Sequence, residues 1–211
     1  MIAARRRLLS GIAAVLVTSG VARGATDLGW AAGFIRRSGD ELSSIIAKAN
    51  STEARRALLQ LFIDRVVDVD AVARFCLGRF WRQATAKQQQ DYLHLFHSVL
   101  MNAVLVRVGD YEHNEVRVTV ERPEMRDGSV QVPTVVERTG NPPARVIWVV
   151  SPDADNPRII DLLAEGTSLR LAVRGDYSAF LARHDNDLDA LIDAMKQQTC
   201  DGCTSTKPGG R

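Results

Sequence analysis

Residues 85–121 read TAKQQQDYLHLFHSVLMNAVLVRVGDYEHNEVRVTVE, and the spacing of apolar residues changes within this stretch. Thr85 and Gln88 have the spacing of a capping box, which predicts the start of a helix. Apolar residues that would share one helical face follow at three- and four-residue intervals; they are Tyr92, Leu95, Phe96, Val99, Leu100, Ala103 and Val104. From residue 115 to 121, valines alternate with polar residues, as in a strand with one buried face. The stretch therefore predicts a long helix that leads into a β-sheet.

The second half of this helix carries apolar residues on more than one side. Met101, Leu105 and Val106 lie off the main apolar face. A helix with this pattern is either enclosed by other elements or lines an apolar space.

Three further strands are expected after the first one. Asp127-Gly128 is a hairpin signal, and Pro133 requires a sheet edge or a bulge in the strand that follows. Asn141-Pro142-Pro143 predicts the next turn. The third strand is apolar on both faces, so both faces must be covered. The four strands of this antiparallel meander are predicted at residues 115–121, 130–137, 145–150 and 159–164.

Helices are predicted on both sides of the meander. Asn50 and Glu53 have capping-box spacing between the first two helices, Asp68 can cap the third, and Gly78 can close it. Ser168 can cap the first helix after the sheet. The helices are expected at residues 27–49, from 53 to 63 or 67, and at 68–77, 168–183 and 187–197, besides the long one. The fold class is therefore α+β, with helices packed on a four-stranded antiparallel sheet.

The first 24 residues have the pattern of a secretory signal peptide. Three arginines at positions 5–7 precede an apolar run at 8–21, and small residues at 22 and 24 suit a cleavage site. The alternative is an ordinary N-terminal helix. The consecutive arginines also resemble a twin-arginine signal, so the export route stays open.

Composition argues against nucleic acid as a partner. The chain has 211 residues and a formal net charge of +2, and its Lys and Arg residues are spread along the chain. No segment after the first 24 residues has the roughly 18 unbroken apolar residues of a spanning helix.

The polar residues give little support for catalysis. His94 and His97 lie three positions apart without a third ligand nearby, so no metal site is expected. Asp161 and Glu165 could act as an acid–base pair if burial raised one pKa. Beside Gly166, they are more typical of a strand-to-helix turn that fixes backbone donors.

The three cysteines are expected to be structural or incidental. Cys76 lies in an apolar helical stretch and is predicted to be buried. Cys200 and Cys203 could close a small disulfide in an oxidising compartment.

Several segments together resemble the MlaC family, also called the toluene-tolerance auxiliary family. They are residues 62–64 (FID), 77–85 (LGRFWRQAT), 88–96 (QQQDYLHLF), 161–169 (DLLAEGTSL), Arg174, Tyr177, Phe180 and 188–192 (LDALI). The resemblance extends from about residue 30 to 197. This chain departs from the family pattern at Pro157, where a Trp is common, at residues 184–186 (HDN), where a Gly is usual, and in the Cys-Asp-Gly-Cys tail.

The resemblance implies a monomeric periplasmic phospholipid carrier that needs no cofactor and holds the lipid tails in an apolar cavity between sheet and helices. Its implied partners are an outer-membrane lipoprotein complex and an inner-membrane ABC transporter complex, and its implied role is to maintain membrane lipid asymmetry. The domains would be a signal peptide at 1–24, the lipid-binding domain at 25–198 and a flexible tail at 199–211. Alternatives are the hopanoid-associated branch, a cavity enzyme of nuclear-transport-factor-like fold, and an interaction module with a filled core.

Candidate lipid-binding residues follow from combining the resemblance with the apolar pattern. The helix wall would contain Phe96, Leu100 and Val104. The sheet wall would contain Val118, Val132, Trp148, Val150, Ile160 and Leu162. Each of these residues could instead belong to an ordinary core. Arg79 and Arg82, which flank Trp81, could grip a head-group phosphate, brace the loop or meet a partner protein.

Overall fold

The computed structural model describes residues 27–109 and 116–201. The predicted helices and strands occur in the predicted order, and a short helix, Arg79–Gln83, lies where a connection before the long helix was expected. The helices are α1 (Gly29–Lys48), α2 (Thr52–Val66), α3 (Val69–Leu77), α4 (Arg79–Gln83), α5 (Ala86–Gly109), α6 (Leu169–Arg183) and α7 (Leu188–Asp201). The strands are β1 (Val116–Val120), β2 (Glu124–Arg126), β3 (Ser129–Arg138), β4 (Asn141–Val150), β5 (Ile159–Ala164) and β6 (Thr167–Ser168).

Local capping explains where most helices begin. Thr85 and Gln88 form the predicted reciprocal pair: the Gln88 N–H donates to Thr85 Oγ1 at 3.2 Å, and the Thr85 N–H donates to Gln88 Oε1 at 3.0 Å. The Asp68 carboxylate accepts from the Ala71 N–H at 3.0 Å. Ahead of α2, however, Ser51 and not Asn50 is the cap, and its hydroxyl accepts from the Ala54 N–H.

Gly78 closes α3 with a φ of +60°, and a second constraint makes glycine necessary there. A Cβ atom at this position would lie 3.0 Å from the Arg174 guanidinium. That guanidinium packs over the Phe75 ring and donates to the Phe75 carbonyl at 3.3 Å. Gly78 therefore allows α6 to lie close against α3.

The sheet is antiparallel with the order β1-β3-β4-β5-β6, and β2 also pairs with β3. This confirms the α+β fold. The sheet has two short strands beyond the four predicted. The Asp127-Gly128 turn lays β2 against the start of β3, and the turn at Glu165 and Gly166, both with positive φ, lays β6 against β5.

Prolines mark two irregularities in the sheet. The Pro133 carbonyl accepts from the Glu121 N–H, and the Pro133 nitrogen points to the same side of β3. On that side the strand next to β3 changes from β2 to β1, so the proline lies at a break in the pairing. The predicted turn at residues 141–143 is wrong, because the chain reverses at Thr139 and Gly140, where Gly140 has a φ of +79°. Pro142 and Pro143 lie in β4 at a shift in the β3–β4 register, where a missing N–H interrupts no regular pairing.

Three groups of buried residues form the core. The first joins α3, α5, α6 and α7 around Tyr92, whose hydroxyl donates to the Ala73 carbonyl at 2.8 Å. In the second, α1 and α2 pack on the sheet. The third joins α2 and the second half of α5 through Leu59, Met101 and Val108. Helix α5 thus contributes to two groups, which explains why it is apolar on more than one side.

Among the residues that the structure describes, no helix is both long and apolar enough to cross a bilayer.

Candidate functional site

One face of the sheet, here called the inner face, is almost entirely apolar. Cross-strand partners share a face, so the register defines its members across four strands. The inner face consists of Val116, Val118 and Val120 of β1; Val130, Val132, Thr134, Val136 and Arg138 of β3; Ala144, Val146, Trp148 and Val150 of β4; and Ile159, Leu162 and Ala164 of β5.

Burial of the inner face decreases from one end to the other. Val130 and Val150 are fully buried under α1 and α2. One row further along, Val132 is still fully buried, whereas Trp148 and Leu162 are half-buried. At the far end, Val118 is 51% exposed. The inner face is therefore closed at the row of Val130, Val150 and Ile159, and open at the row of Val118, Val136 and Ala144.

The length of this face can be estimated from strand geometry. Val136 lies six positions after Val130, which corresponds to about 20 Å along β3. One leaflet of a bilayer contributes about half of a hydrocarbon core of roughly 30 Å. The apolar face is therefore long enough to accommodate an acyl chain lying along it.

The helices opposite the sheet present half-buried apolar side chains. Leu42 and Ile45 of α1 and Ile63 of α2 contact both the group packed on the sheet and the group between α2 and α5. The chain's own side chains leave these apolar atoms partly open to solvent. An apolar ligand could cover these atoms without displacing the side chains at the closed end of the inner face.

The polar side-chain atoms of Trp148 and Thr134, in the middle of the inner face, are satisfied internally. The Trp148 indole N–H donates to Thr134 Oγ1 at 3.1 Å, and the Thr134 hydroxyl donates to the Val146 carbonyl at 3.0 Å. Thr134 is fully buried. The wall between the two ends therefore behaves as an apolar surface.

Most residues predicted for the sheet wall lie on the inner face. Val132, Trp148 and Leu162 are neighbours across three strands, with Val150 at the closed end and Val118 at the open end. Ile160 is different, because the β4–β5 register shifts and Ile159 takes the position opposite Val150. Simple alternation along β5 could not reveal this shift.

The residues predicted for the helix wall are divided between two core groups. Phe96 is buried with Tyr92 in the first group, and Leu100 packs against the same group. Val104 packs on the third group beside α2. The helices that cover the inner face are α1 and α2. Their half-buried residues Leu42, Ile45 and Ile63 were not among the site residues predicted from the sequence.

The structure does not bring Arg79 and Arg82 to the open end of the inner face. Both are exposed on α4, where Arg79 packs over the Phe80 ring at 4.8 Å. Gln89 ties α4 to the start of α5 by donating to the Trp81 carbonyl. The strand β1 follows the other end of α5, about 30 Å away along the helix.

Two surface grooves lie elsewhere. One, of about 440 Å³, lies between α2 and α5 and contains His94 and His97. His97 Nε2 is 2.9 Å from Asp70 Oδ1, and its Nδ1 is 3.5 Å from Asp64 Oδ1. No cluster able to hold a metal occurs among the described residues. The other groove, of about 460 Å³, lies between α6 and α7 beside Tyr177 and Phe180.

Asp161 lies away from the inner face and organises the turn into α6. Its carboxylate accepts from the N–H groups of Leu162 and Arg170, at 2.8 and 3.2 Å, and from the Ser168 hydroxyl at 2.6 Å. It also pairs with the Arg170 guanidinium at 3.3 Å. Its register partner is Val149, on the outer side of the sheet. Glu165 is exposed in the neighbouring turn. This geometry matches a carboxylate that fixes backbone donors.

Comparison with known proteins gives two findings. The family model described as "MlaC protein" matches residues 36–197. The chain belongs to the MlaC family. A solved structure of a phospholipid-binding protein from Ralstonia solanacearum, in complex with a phospholipid, superposes with a TM-score of 0.72 at 18% sequence identity. The match covers 82% of this chain and 99% of that chain.

The segments that resemble MlaC signatures contact one another in the fold. Gly78, in the segment 77–85, lies against Arg174. Within the segment 161–169, Asp161 binds Ser168, and it also pairs with Arg170, the next residue after this segment. They form a support on the outer side of β5, between α3 and α6.

The departure from the MlaC pattern at residues 184–186 has a local explanation. Asp185 and Asn186 have φ values of +53° and +59°, in the left-handed region that glycine favours. Asp and Asn tolerate this region better than other residues with a side chain. His184 stacks on Phe180 with ring centroids 4.2 Å apart. The turn between α6 and α7 therefore forms without glycine.

The cysteine predictions have separate outcomes. Cys76 is fully buried, and its Sγ lies 3.5 Å from the Arg170 carbonyl. Burial, together with the negative charge of Asp161, raises the pKa of the Cys76 thiol to about 12. The Cys200 side chain and Cys203 lie outside the described residues, as do the predicted signal peptide and most of the predicted tail.

We predict that Asp161→Asn lowers the free energy of unfolding by about 2–3 kcal/mol, because it leaves Arg170 without its anionic partner. Urea unfolding followed by circular dichroism measures this change. Glu165→Gln, in the exposed turn, is the control and should change stability by less than about 0.5 kcal/mol. Unchanged stability in Asp161→Asn, together with loss of turnover, would instead favour a cavity enzyme, whereas a carrier should keep its ligand.

We also predict that the Cys76 thiol is inert in the folded protein. In a Cys200→Ser/Cys203→Ser background, its reaction with a thiol reagent at pH 8 should be at least about a hundredfold slower than in urea, because its raised pKa leaves little thiolate. Absorbance of the released chromophore gives both rates. Comparable rates in the two conditions would contradict the burial described here.

Proposed function

We propose that this MlaC-family protein binds a phospholipid between the inner face and helices α1 and α2, and carries it through the periplasm. It would exchange the lipid with an outer-membrane lipoprotein complex and an inner-membrane ABC transporter complex, and so help to maintain lipid asymmetry. It would act as a monomer without a cofactor and without making or breaking covalent bonds. The observation that carries this proposal is an apolar sheet face that is closed at one end only.

The energetics of lipid transfer explain why such a face is needed. Exposing a methylene to water costs about 0.8 kcal/mol, so two acyl chains with roughly thirty methylenes would cost on the order of 25 kcal/mol. Surface charges cannot offset a term of this size. A carrier must therefore supply a continuous apolar wall, as the inner face does from Val130 to Val118.

The burial gradient also favours one orientation of the lipid. The tail ends would point towards the fully covered row of Val130, Val150 and Ile159. The head group would lie just beyond the exposed row that contains Val118, at the open end of the inner face. The phospholipid-bound protein of similar fold supports the ligand class, and the predicted signal peptide at residues 1–24 supports the periplasmic location.

The first test is to identify the lipid that the protein carries. We expect mass spectrometry of a solvent extract of protein purified from cells to give about one phospholipid per chain. A hopanoid in the extract would assign the protein to the hopanoid-associated alternative. If no stoichiometric lipid is found and none can be loaded from vesicles, the carrier function is wrong.

The location of the site can be tested on strand β1. Val118→Glu places a charge on the inner face, and we expect it to reduce lipid loading from vesicles about tenfold or more, since an acyl chain cannot solvate a carboxylate. Val118 is already exposed, so the fold should tolerate the change.

Thr119→Glu is the matched control, because Thr119 is the exposed neighbour on the opposite face of β1. Extracted lipid per chain should be normal in this variant. Equal loss of lipid in both variants would place the site elsewhere.

A further inference from the structure

Arg138 is a charged residue at the open end of the otherwise apolar inner face. The β1–β3 register is continuous from Val120↔Thr134 through Val118↔Val136 to Val116↔Arg138. Because directly paired residues point to the same side of a sheet, Arg138 lies on the inner face beside Val116. It ends β3 just before the turn at Thr139 and Gly140.

Burial of Arg138 differs from that of its apolar neighbours. Its side chain is half-buried, whereas Val116 and Val118 are 38% and 51% exposed. An arginine can lay its methylene stem on an apolar surface while the guanidinium stays at the polar boundary. An arginine at this position therefore suits the boundary at which the tails of a lipid meet its head group.

The other arginines of the described strands lie on the outer face. Arg117 of β1 is exposed on that face. Arg145 of β4 is also there and forms an ion pair with Glu121 at 3.0 Å. Arg126 of β2 pairs with Ser129, which is likewise outside the inner face. Position on the sheet therefore distinguishes Arg138 from arginines of the same charge nearby.

We propose that Arg138 binds the phosphate of the carried lipid, and so selects lipids that have a phosphate over neutral lipids with the same tails. This inference rests on the function proposed above. A guanidinium can donate two parallel hydrogen bonds to phosphate oxygens, which a point charge cannot match. The closed row at Val130 lies eight residues before Arg138, about 27 Å along β3, so the tails can be covered while the phosphate meets Arg138.

The experiment measures selectivity within one sample. Delipidated full-length mature protein is incubated with vesicles that contain equal amounts of phosphatidylglycerol and of diacylglycerol with identical chains. The bound lipid is then extracted, and the ratio of the two lipids is measured by mass spectrometry. This ratio is insensitive to the fraction of protein that is active.

Wild-type protein should be enriched in phosphatidylglycerol. Arg138→Gln should lower the ratio about tenfold, the effect of one strong charge-assisted contact. Arg138→Lys should give an intermediate ratio, because it keeps the charge and loses the paired geometry. Arg117→Gln removes the same charge from the outer face and should leave the ratio unchanged, as should the double variant Arg79→Gln/Arg82→Gln.

Two results would overturn the role of Arg138: an unchanged ratio in Arg138→Gln, or an equal decrease in Arg117→Gln. Both leave lipid carriage intact, because diacylglycerol and phosphatidylglycerol are still taken up. Failure of the wild-type protein to take up either lipid would instead refute the proposed function.

Discussion

Helices α1 and α2 cover only one end of the apolar inner face, and the rest of the proposed site depends on this incomplete cover. Each square ångström of apolar surface kept from water stabilises a fold by about 25 cal/mol. A chain that leaves Val118 open, and Trp148 only half-covered, forgoes part of that stabilisation. An apolar ligand that covers this surface recovers the missing stabilisation on binding. Incomplete cover within an otherwise closed fold is therefore typical of a binding wall.

The support that holds this wall in place lies on the other side of β5. Asp161 fixes the start of α6 through two backbone N–H groups and Ser168. Arg170 and Arg174 of α6 then pack over the Phe75 ring of α3. The polar contacts that position the sheet are thus separated from the apolar face that a lipid would contact. A change of ligand need not disturb them.

The features that could be predicted from the sequence are mainly those set by local interactions. The Thr85–Gln88 capping box depends on residues three positions apart, and the alternation in β1 fixes which side chains share a face. Pairing between distant segments was harder to predict from the sequence. The shift opposite Val150, which brings Ile159 to the inner face in place of Ile160, depends on how β5 meets β4. The turn at Gly140 was missed because the two following prolines gave a stronger local signal.

The difference between local interactions and long-range pairing also explains which residues of the candidate site could be predicted. A hydrophobic period on α5 shows that Phe96 and Val104 face something apolar, but it does not show whether that partner is a sheet or another helix. Most residues of the sheet wall could be predicted because strand alternation and antiparallel pairing together determine which side chains share a face. Arg79 and Arg82 drew attention because they flank Trp81 in the sequence, whereas Arg138 has no local motif. Its significance comes only from the strand register, since a phosphate must lie where the covered tails leave the apolar wall.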